Sequence, residues 1–179
     1  MTVAIGQKVK LDIACGQNRQ DGFHGVDIVP GLYDDVDYTV HDLSEFPWPF
    51  EDDSVEEVFV SHYVEHTPDL IAFVNELYRI LEPDGRVKVV HPYCRSNRAF
   101  QDPTHTRFIP EETWHYFTKS WREDQKLDHY PITADFEVVN IGAAINEPWT
   151  MRSQEAQMFA AQHYWNVVSD LSVELKALK

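Results

Sequence analysis

Short apolar segments that end at polar or glycine residues recur through the first half of the chain. Each segment has the length and the β-branched content typical of a β-strand. The predicted strands cover residues 9–15, 24–29, 38–42, 55–61 and 86–90. A chain with this recurrence folds around a β-sheet, and the segments between the strands decide which kind of sheet.

The connection between the fourth and fifth predicted strands has the period of a helix. Its apolar residues fall at helical spacing, at Leu70, Phe73, Val74, Leu77 and Leu81. We expect Thr67 to cap this helix, with Pro68 at the first helical position, and Pro-Asp-Gly at residues 83–85 to end it. A helix between successive strands predicts a mostly parallel sheet, whose ligand lies at the carboxyl ends of the strands.

The last third of the chain has a different pattern. Residues 135–141 are predicted to form a sixth strand, and Met151 to about Tyr164 a helix. Residues 171–178 alternate strictly between apolar and polar, as a half-buried edge strand does, although their composition also suits a helix. The sequence thus predicts an α/β fold with seven strands in a mostly parallel sheet. Strands six and seven form a C-terminal antiparallel hairpin, and helices lie on both faces.

Composition limits the partners that the chain can take. Its 179 residues fit a single domain over residues 1–179, and 30 acidic against 15 basic side chains give a net charge of -15. Such a chain repels a phosphate backbone, so we expect a small-molecule substrate and no long nucleic acid bound unaided. No apolar run suggests a membrane span or an export signal, and two cysteines cannot build a disulfide framework. We therefore expect a cytoplasmic protein with no membrane partner; the sequence leaves its oligomeric state open.

Residues typical of a nucleotide-like cofactor site follow the first four strands in order. Leu-Asp-Ile-Ala-Cys-Gly at residues 11–16 ends the first strand with small residues, Asp27 ends the second and Asp42 the third. Tyr-Val-Glu-His at residues 63–66 follows the fourth strand, and Arg-Ile-Leu-Glu-Pro-Asp-Gly at residues 79–85 follows the helix. From about residue 8 to 92 this series resembles the class I S-adenosylmethionine-dependent methyltransferases.

The resemblance implies a Rossmann-like fold, S-adenosylmethionine as cofactor and methyl transfer as the reaction. It also implies that Asp27 accepts hydrogen bonds from both ribose hydroxyls and that Asp42 contacts the adenine amino group. The family often has glycine at three positions of the first turn, of which this chain keeps only Gly16. The residues implied to line the cofactor are Asp12, Ala14, Cys15, Gly16, Asn18, Asp27, Ile28, His41, Asp42, Leu43 and Ser61.

The connection between the first two strands departs from the usual pattern. Only residues 16–23 are available, whereas a parallel crossover usually takes a dozen residues or more. We therefore expect the first helix to shrink to about one turn, and Asn18, Arg19 or Gln20 to help hold the carboxylate of the cofactor. The Gly-x-Gly-x-x-Gly pattern of nicotinamide enzymes is absent.

The segment from residue 91 to about 130 is expected to cover the reacting methyl group as a lid or acceptor pocket. His105 and His62 are the best candidates for a general base, followed by Glu65, Asp102 and His66. Asp102 could orient His105 or merely cap the turn before Pro103. The aromatic residues Trp114, Tyr116 and Phe117 could form one wall of the pocket or belong to the core, and three arginines could bind an anionic acceptor: Arg95, Arg98 and Arg107.

The same segment contains residue types that bind metals. His91, Cys94, Asp102 and His105 could be ligands, but no pair among them has a recognised zinc spacing, so we expect no metal. The function expected from the sequence is methyl transfer to an unidentified, small-molecule acceptor. Two alternatives stay open: a cofactor-binding partner or regulatory subunit without catalysis, and methylation of nucleic acid with the help of a partner.

Overall fold

A seven-stranded sheet in the order β3-β2-β1-β4-β5-β7-β6 forms the centre of the molecule. The computed structural model describes residues 9–34 and 36–179; the first eight residues, where no export signal was found, and Asp35 lie outside the described residues. The strands are β1 Val9–Ile13, β2 His24–Asp27, β3 Tyr38–Val40, β4 Val55–Ser61, β5 Leu81–Pro92, β6 Phe136–Ile145 and β7 Val168–Ala177.

The sheet changes from parallel to antiparallel at its C-terminal side. Strands β3, β2, β1, β4 and β5 pair in parallel. Strand β7 then pairs antiparallel with both β5 and β6. The predicted fold class is confirmed, including the alternating strand at the C-terminus, which starts at Val168. The order reverses between β1 and β4, and an open sheet of this kind has its ligand crevice at that switch point.

Helix α1, Leu70–Ile80, is the predicted helix with a different start. Asp69, not Thr67, is the N-cap, because its side chain accepts a hydrogen bond from Ala72 N, and Pro68 therefore precedes the helix. The helix ends directly at Leu81, the first residue of β5. The predicted stop at residues 83–85 lies inside β5, at a register irregularity opposite Val55 and Glu57.

The remaining helices are short and follow β5 and β6. They are α2 Asn97–Gln101, α3 Lys119–Asp124 and α4 Gln154–His163, with 3₁₀ turns at Glu111–Phe117 and Trp149–Met151. Helix α4 starts later than Met151 because Ser153 caps it, its hydroxyl accepting a hydrogen bond from Ala156 N.

The hydrophobic core lies between α1 and one face of the sheet. Fully buried side chains from both layers meet there, including Leu11, Val58, Val87, Phe73 and Leu77. The opposite face of the same strands carries half-exposed or exposed side chains, among them the Lys10–Glu57 ion pair at 2.6 Å and Lys88. Residues 14–23 and 28–34 are turns and loops, so the connections after β1 and β2 place no described helix over that face. The helix after β1, which was expected to shrink to about one turn, is therefore replaced by a loop.

Candidate active site

The carboxyl ends of β1 to β4 form one continuous edge, because these strands are neighbours in parallel. Every residue that the sequence assigned to the cofactor lies at or just after one of these four strand ends. Asp12 lies near the end of β1, and Ala14, Cys15, Gly16 and Asn18 follow it; Asp27 ends β2 and Ile28 follows; His41, Asp42 and Leu43 follow β3; and Ser61 ends β4. The structure thus brings together residues that are up to 49 positions apart.

Asp27 joins the ends of β1 and β2. Its Oδ2 accepts a hydrogen bond from Gly16 N at 2.9 Å, and its Oδ1 accepts one from Val29 N at 3.1 Å. A carboxylate has about four acceptor positions, so each oxygen keeps a lone pair for a further donor. The backbone bonds fix the direction in which those free positions point.

Asp12 is a buried carboxylate at the end of β1, with only 2% of its surface exposed. Its Oδ2 accepts a hydrogen bond from Gln20 N at 2.7 Å. Burial raises the pKa of Asp12, while the Gln20 amide and the positive charge of Arg19 oppose that rise. A buried carboxylate in this position favours a cationic or N–H group placed beside it.

The turn after β1 needs small residues. Ala14 and Gly16 both have positive φ angles, of 55° and 50°. A Cβ atom at Gly25 of β2 would lie 2.9 Å from both Cys15 Sγ and Arg19 Cδ, so this strand must approach the turn without a side chain. Burial and the charges of Asp12 and Asp27 raise the pKa of Cys15 to about 11. The Cys15 thiol therefore stays protonated and is not a nucleophile.

The end of β3 is more exposed. Asp42 Oδ1 accepts hydrogen bonds from Ser44 N at 2.9 Å and Ser44 Oγ at 2.7 Å, and these bonds lower the pKa of Asp42. The neighbouring Leu43 is buried and its carbonyl accepts a hydrogen bond from Trp48 Nε1 at 3.2 Å. Asp42 therefore carries a fixed negative charge on a rigid turn.

A cluster of titratable side chains lies beyond the end of β4. Glu65 is 3% exposed, and its Oε1 lies 3.2 Å from His62 Nδ1. The rings of His66 and His105 meet edge to face with centroids 4.7 Å apart. Backbone hydrogen bonds fasten the two segments together, since Thr106 N donates to Glu65 O at 2.9 Å. The five candidate bases thus gather in one place.

Asp102 acts on the turn that precedes His105. Its Oδ1 accepts hydrogen bonds from Thr104 N at 2.8 Å and from Thr104 Oγ1 at 2.6 Å. His105 Nδ1 instead bonds to the carbonyl of Ala99 at 2.8 Å. Asp102 therefore caps its turn, the plainer of the two roles considered for it, and reaches His66 through Thr104 Oγ1, which is 3.0 Å from His66 Nδ1.

The first half of the expected lid reaches this cluster through residues 99–106, whereas two aromatic residues of its second half are core residues. Trp114 and Phe117 are 0% and 2% exposed and belong to the core, so they do not form a pocket wall. His91, also fully buried, accepts a hydrogen bond from Trp114 Nε1 at its Nε2, at 3.2 Å. Burial lowers the pKa of His91, so the ring is neutral.

The three arginines of the segment do not form an anion clamp. Arg98 pairs with Asp170 at 3.0 Å. Arg95 donates to the carbonyl of Gln162, and Arg107 to that of Pro68 at 2.9 Å. Each of them uses one guanidinium nitrogen to hold a neighbouring segment, while Arg107 Nε is buried and has no hydrogen-bond partner among the described residues.

An exposed aromatic surface lies next to the histidine cluster. Phe100 and Phe108 stack with centroids 4.0 Å apart, and Trp165 lies 5.5 Å from Phe100. All three are between 45% and 50% exposed. Sequence reasoning missed this surface, because residues 100, 108 and 165 have no common spacing and meet only when α2 packs beside the turn after α4.

Comparison with known proteins agrees with this arrangement. Residues 11–89 match the family model described as a methyltransferase domain. This match runs from β1 to β5. The residues assigned to the cofactor and the turn that contains Glu65 lie at the carboxyl ends of these strands. Over this stretch the chain is similar to the methyltransferases that use S-adenosylmethionine as cofactor. None of the curated proteins matches the chain significantly.

Solved methyltransferases share the fold at low identity. An S-adenosylmethionine-dependent methyltransferase from Archaeoglobus fulgidus aligns with a TM-score of 0.67 and 20% identity over 96% of this chain and 86% of that one. One from Mesorhizobium loti gives 0.60 and 11%, over 98% and 93%. Geranyl diphosphate C-methyltransferase from Streptomyces coelicolor, solved with Mg²⁺, geranyl diphosphate and S-adenosyl-L-homocysteine, gives 0.57 and 13%, over 96% and 71%. At these identities the likeness shows the fold alone.

The length and polarity of the helices bear on membrane association. Across residues 9–34 and 36–179, none of the helices combines the length and apolar character that a bilayer span requires.

Proposed function

We propose that this chain transfers the methyl group of S-adenosylmethionine to a small-molecule acceptor. The observation that carries the proposal is the common position of two groups of residues. The acidic row of Asp12, Asp27 and Asp42 and the cluster of Glu65, His66 and His105 lie along the same carboxyl edge of the sheet. A cofactor bound on the row would lie beside the side chains that can handle protons.

The row offers distinct partners for the parts of the cofactor. Asp27 keeps free acceptor positions on both oxygens and would take the ribose hydroxyls. Asp12, buried and negative, would favour the ammonium group of the methionine part. Asp42 at the end of β3 would receive the adenine amino group. These roles follow the order in which the parts of the cofactor extend from β1 to β3.

Methyl transfer from a sulfonium requires alignment more than covalent help. The enzyme holds the nucleophile in line with the methyl–sulfur bond, and a base takes its proton where it has one. His66 and His105 both use Nδ1 within the protein, so each presents Nε2 as the free ring nitrogen. Either nitrogen could accept the proton of the methyl acceptor.

The surroundings favour an acceptor with a flat apolar part over an anion. The net charge of -15 repels anions, and Arg95, Arg98 and Arg107 are already bonded inside the molecule. The stacked Phe100 and Phe108 instead offer an exposed apolar face beside the histidines. This replaces the anionic acceptor expected from the arginines.

The test is transfer of a labelled methyl group from S-adenosylmethionine. The purified chain is incubated with labelled cofactor and with two fractions of a cell extract, one of small molecules and one of macromolecules. Label in small molecules supports the proposal. Label only in RNA or protein supports the nucleic-acid or protein alternative, and cofactor binding without any transfer supports a binding subunit.

His105→Asn examines the role of the histidine cluster in that assay. Asparagine keeps polarity and most of the volume, but it cannot act as a base near neutral pH. We expect unchanged cofactor affinity and methyl transfer lower by about 10²-fold. Transfer at the parental rate would remove His105 from the reaction.

A further inference from the structure

The cluster beyond β4 contains three potential ligand atoms that face one another. One nitrogen of His66, one nitrogen of His105 and one carboxylate oxygen of Glu65 all lie within 4.8 Å of one another. They come from two segments that are 39 positions apart in the chain and are joined by the hydrogen bond from Thr106 N to Glu65 O. The chemical state of each atom decides what the cluster can bind.

The hydrogen bonds of the two rings fix which nitrogen carries the proton. His105 Nδ1 bonds to the carbonyl of Ala99, which can only accept, so Nδ1 is protonated. Thr104 Oγ1 gives its own proton to the Asp102 carboxylate, so it accepts from His66 Nδ1. Both neutral rings therefore keep a lone pair on Nε2.

Glu65 supplies the third acceptor. Its Oε1 is 3.2 Å from His62 Nδ1, whereas its Oε2 is buried and has no hydrogen-bond partner within the described residues. The side chain as a whole is 97% buried, being only 3% exposed. A buried carboxylate oxygen without a donor is destabilising. A carboxylate oxygen and two imidazole nitrogens that lie this close together suit a bound cation.

We propose that Glu65, His66 and His105 bind a divalent transition-metal ion. Two neutral imidazoles and one carboxylate leave coordination positions open for water or for an oxygen of a substrate. Imidazole ligands favour zinc, copper, iron or nickel over magnesium. Bonds of about 2.1 Å at tetrahedral angles need donor atoms about 3.4 Å apart, so ligand atoms within 4.8 Å of one another close in by at most about 1.4 Å on binding.

The neighbouring residues provide the outer support that such sites use. Ala99 O and Thr104 Oγ1 accept from the rear nitrogens of the two rings, which fixes their orientation. His62, held at a positive φ of 55°, bonds the other oxygen of Glu65. The sequence expectation of no metal was based on spacing within residues 91–105, and it left out Glu65 and His66. The metal and the proposed base use the same Nε2 lone pairs, so a ring that binds the metal is not a free base. Alignment of the cofactor with its acceptor, on which methyl transfer depends most, does not require the metal.

The test is direct metal binding by the full chain. After treatment with a chelator, the protein is dialysed against Zn²⁺, Co²⁺ or Mn²⁺ at physiological ionic strength, and the bound metal is measured by mass spectrometry. We expect one tightly bound ion per chain. The absorption spectrum of the Co²⁺ form should be typical of nitrogen ligands. Mg²⁺ at equal concentration should not displace it.

Variants separate this site from general binding to an acidic surface. Glu65→Gln, His66→Asn and His105→Asn should each weaken binding at least tenfold, and Thr104→Val by about 10–100-fold through loss of orientation. His129→Asn, a matched change at an exposed histidine, should bind like the parent. Glu65→Gln also removes the unpartnered buried charge, so in the absence of metal it should melt no lower than the parent.

Two results would overturn the proposal. One is retention of parental metal affinity in both Glu65→Gln and His105→Asn. The other is equal competition by Mg²⁺, which would point to carboxylates on the surface instead of imidazoles. Loss of metal binding in these variants together with unchanged S-adenosyl-L-homocysteine binding would separate the metal site from the cofactor site.

Discussion

The buried pair of His91 and Trp114 predicts a specific acid sensitivity. An indole nitrogen can only donate, so the bond from Trp114 Nε1 requires a lone pair on His91 Nε2. His91 Nδ1 lies 3.0 Å from the carbonyl of Pro92 and carries the proton. A second proton on the ring would break the bond to Trp114 and place a charge in the core.

The sign of the effect follows from the lowered pKa of His91. In the unfolded chain the ring takes up a proton near its ordinary pKa of 6.5, whereas burial keeps it neutral in the folded state to lower pH. The unfolded state therefore binds more protons below pH 6.5. The contribution of His91 to the free energy of unfolding therefore has its full value above pH 6.5. It decreases as the pH drops toward the pKa of the folded state.

His91→Leu gives the magnitude at pH 7.5. The substitution leaves the Trp114 N–H buried without an acceptor, which costs about 1–3 kcal/mol. An unfolding entropy of about 2.1 cal/mol/K per residue gives roughly 0.4 kcal/mol/K for a chain of 179 residues. We therefore expect Tm to fall by about 3–8 °C. Adding Trp114→Phe removes the N–H group that has lost its acceptor. The decrease in Tm of the double variant should therefore be smaller than the sum of the decreases for the two single variants.

Calorimetry between pH 5 and 8 measures both effects. The Tm of the parent should fall more steeply below pH 6.5 than that of His91→Leu, and His129→Leu, at an exposed position, should follow the parent. An identical slope for the parent and His91→Leu would show that His91 is not the group that resists protonation. Additive losses in the double variant would refute the coupling to Trp114.

Three further predictions concern the cofactor edge. Asp27→Ala should weaken S-adenosyl-L-homocysteine binding at least tenfold, and Asp27→Glu less, because charge-assisted hydrogen bonds contribute about 1.5–3 kcal/mol each; calorimetric titration at parental affinity would contradict this. Burial raises the pKa of Asp12, so its negative charge destabilises the fold at neutral pH, and protonation removes this destabilisation as the pH falls. Asp12→Asn should therefore melt no lower than the parent at pH 7 while binding the cofactor more weakly. A lower Tm for this variant would contradict the prediction. With a pKa of about 11, Cys15 should be alkylated at pH 8 roughly 100-fold more slowly than an exposed thiol, as peptide mapping by mass spectrometry can measure.

The sequence predicted the sheet well because its strands have local signals. Alternation at residues 171–178 and apolar runs at 55–61 depend on near neighbours alone, and both segments are strands. The helix start was wrong because Thr67 and Asp69 are both good caps, two positions apart. Only the turn after β4 decides which side chain points toward the first free amide.

The candidate site was predictable where it follows strand ends and not where distant loops meet. Asp12, Asp27 and Asp42 could be placed because each ends a strand of the same parallel sheet. The pairing of His66 with His105 depends on how the segment after β5 returns, and no spacing in the chain encodes that path. The burial of Trp114 was undecided for the same reason, since aromatic residues suit both a core and a pocket.

The loops that replace helices after β1 and β2 also affect local stability. Strands β2 and β3 have four and three residues, and the sheet face opposite α1 carries exposed side chains. This part of the molecule opens at a lower free energy than the β4–α1–β5 unit, which has the core packed against it. A ligand bound across β1 to β3 closes such openings in proportion to its concentration. The supply of cofactor in the cell would thus set how long this half of the sheet resists proteases, and the cofactor would act as a structural component as well as a reactant.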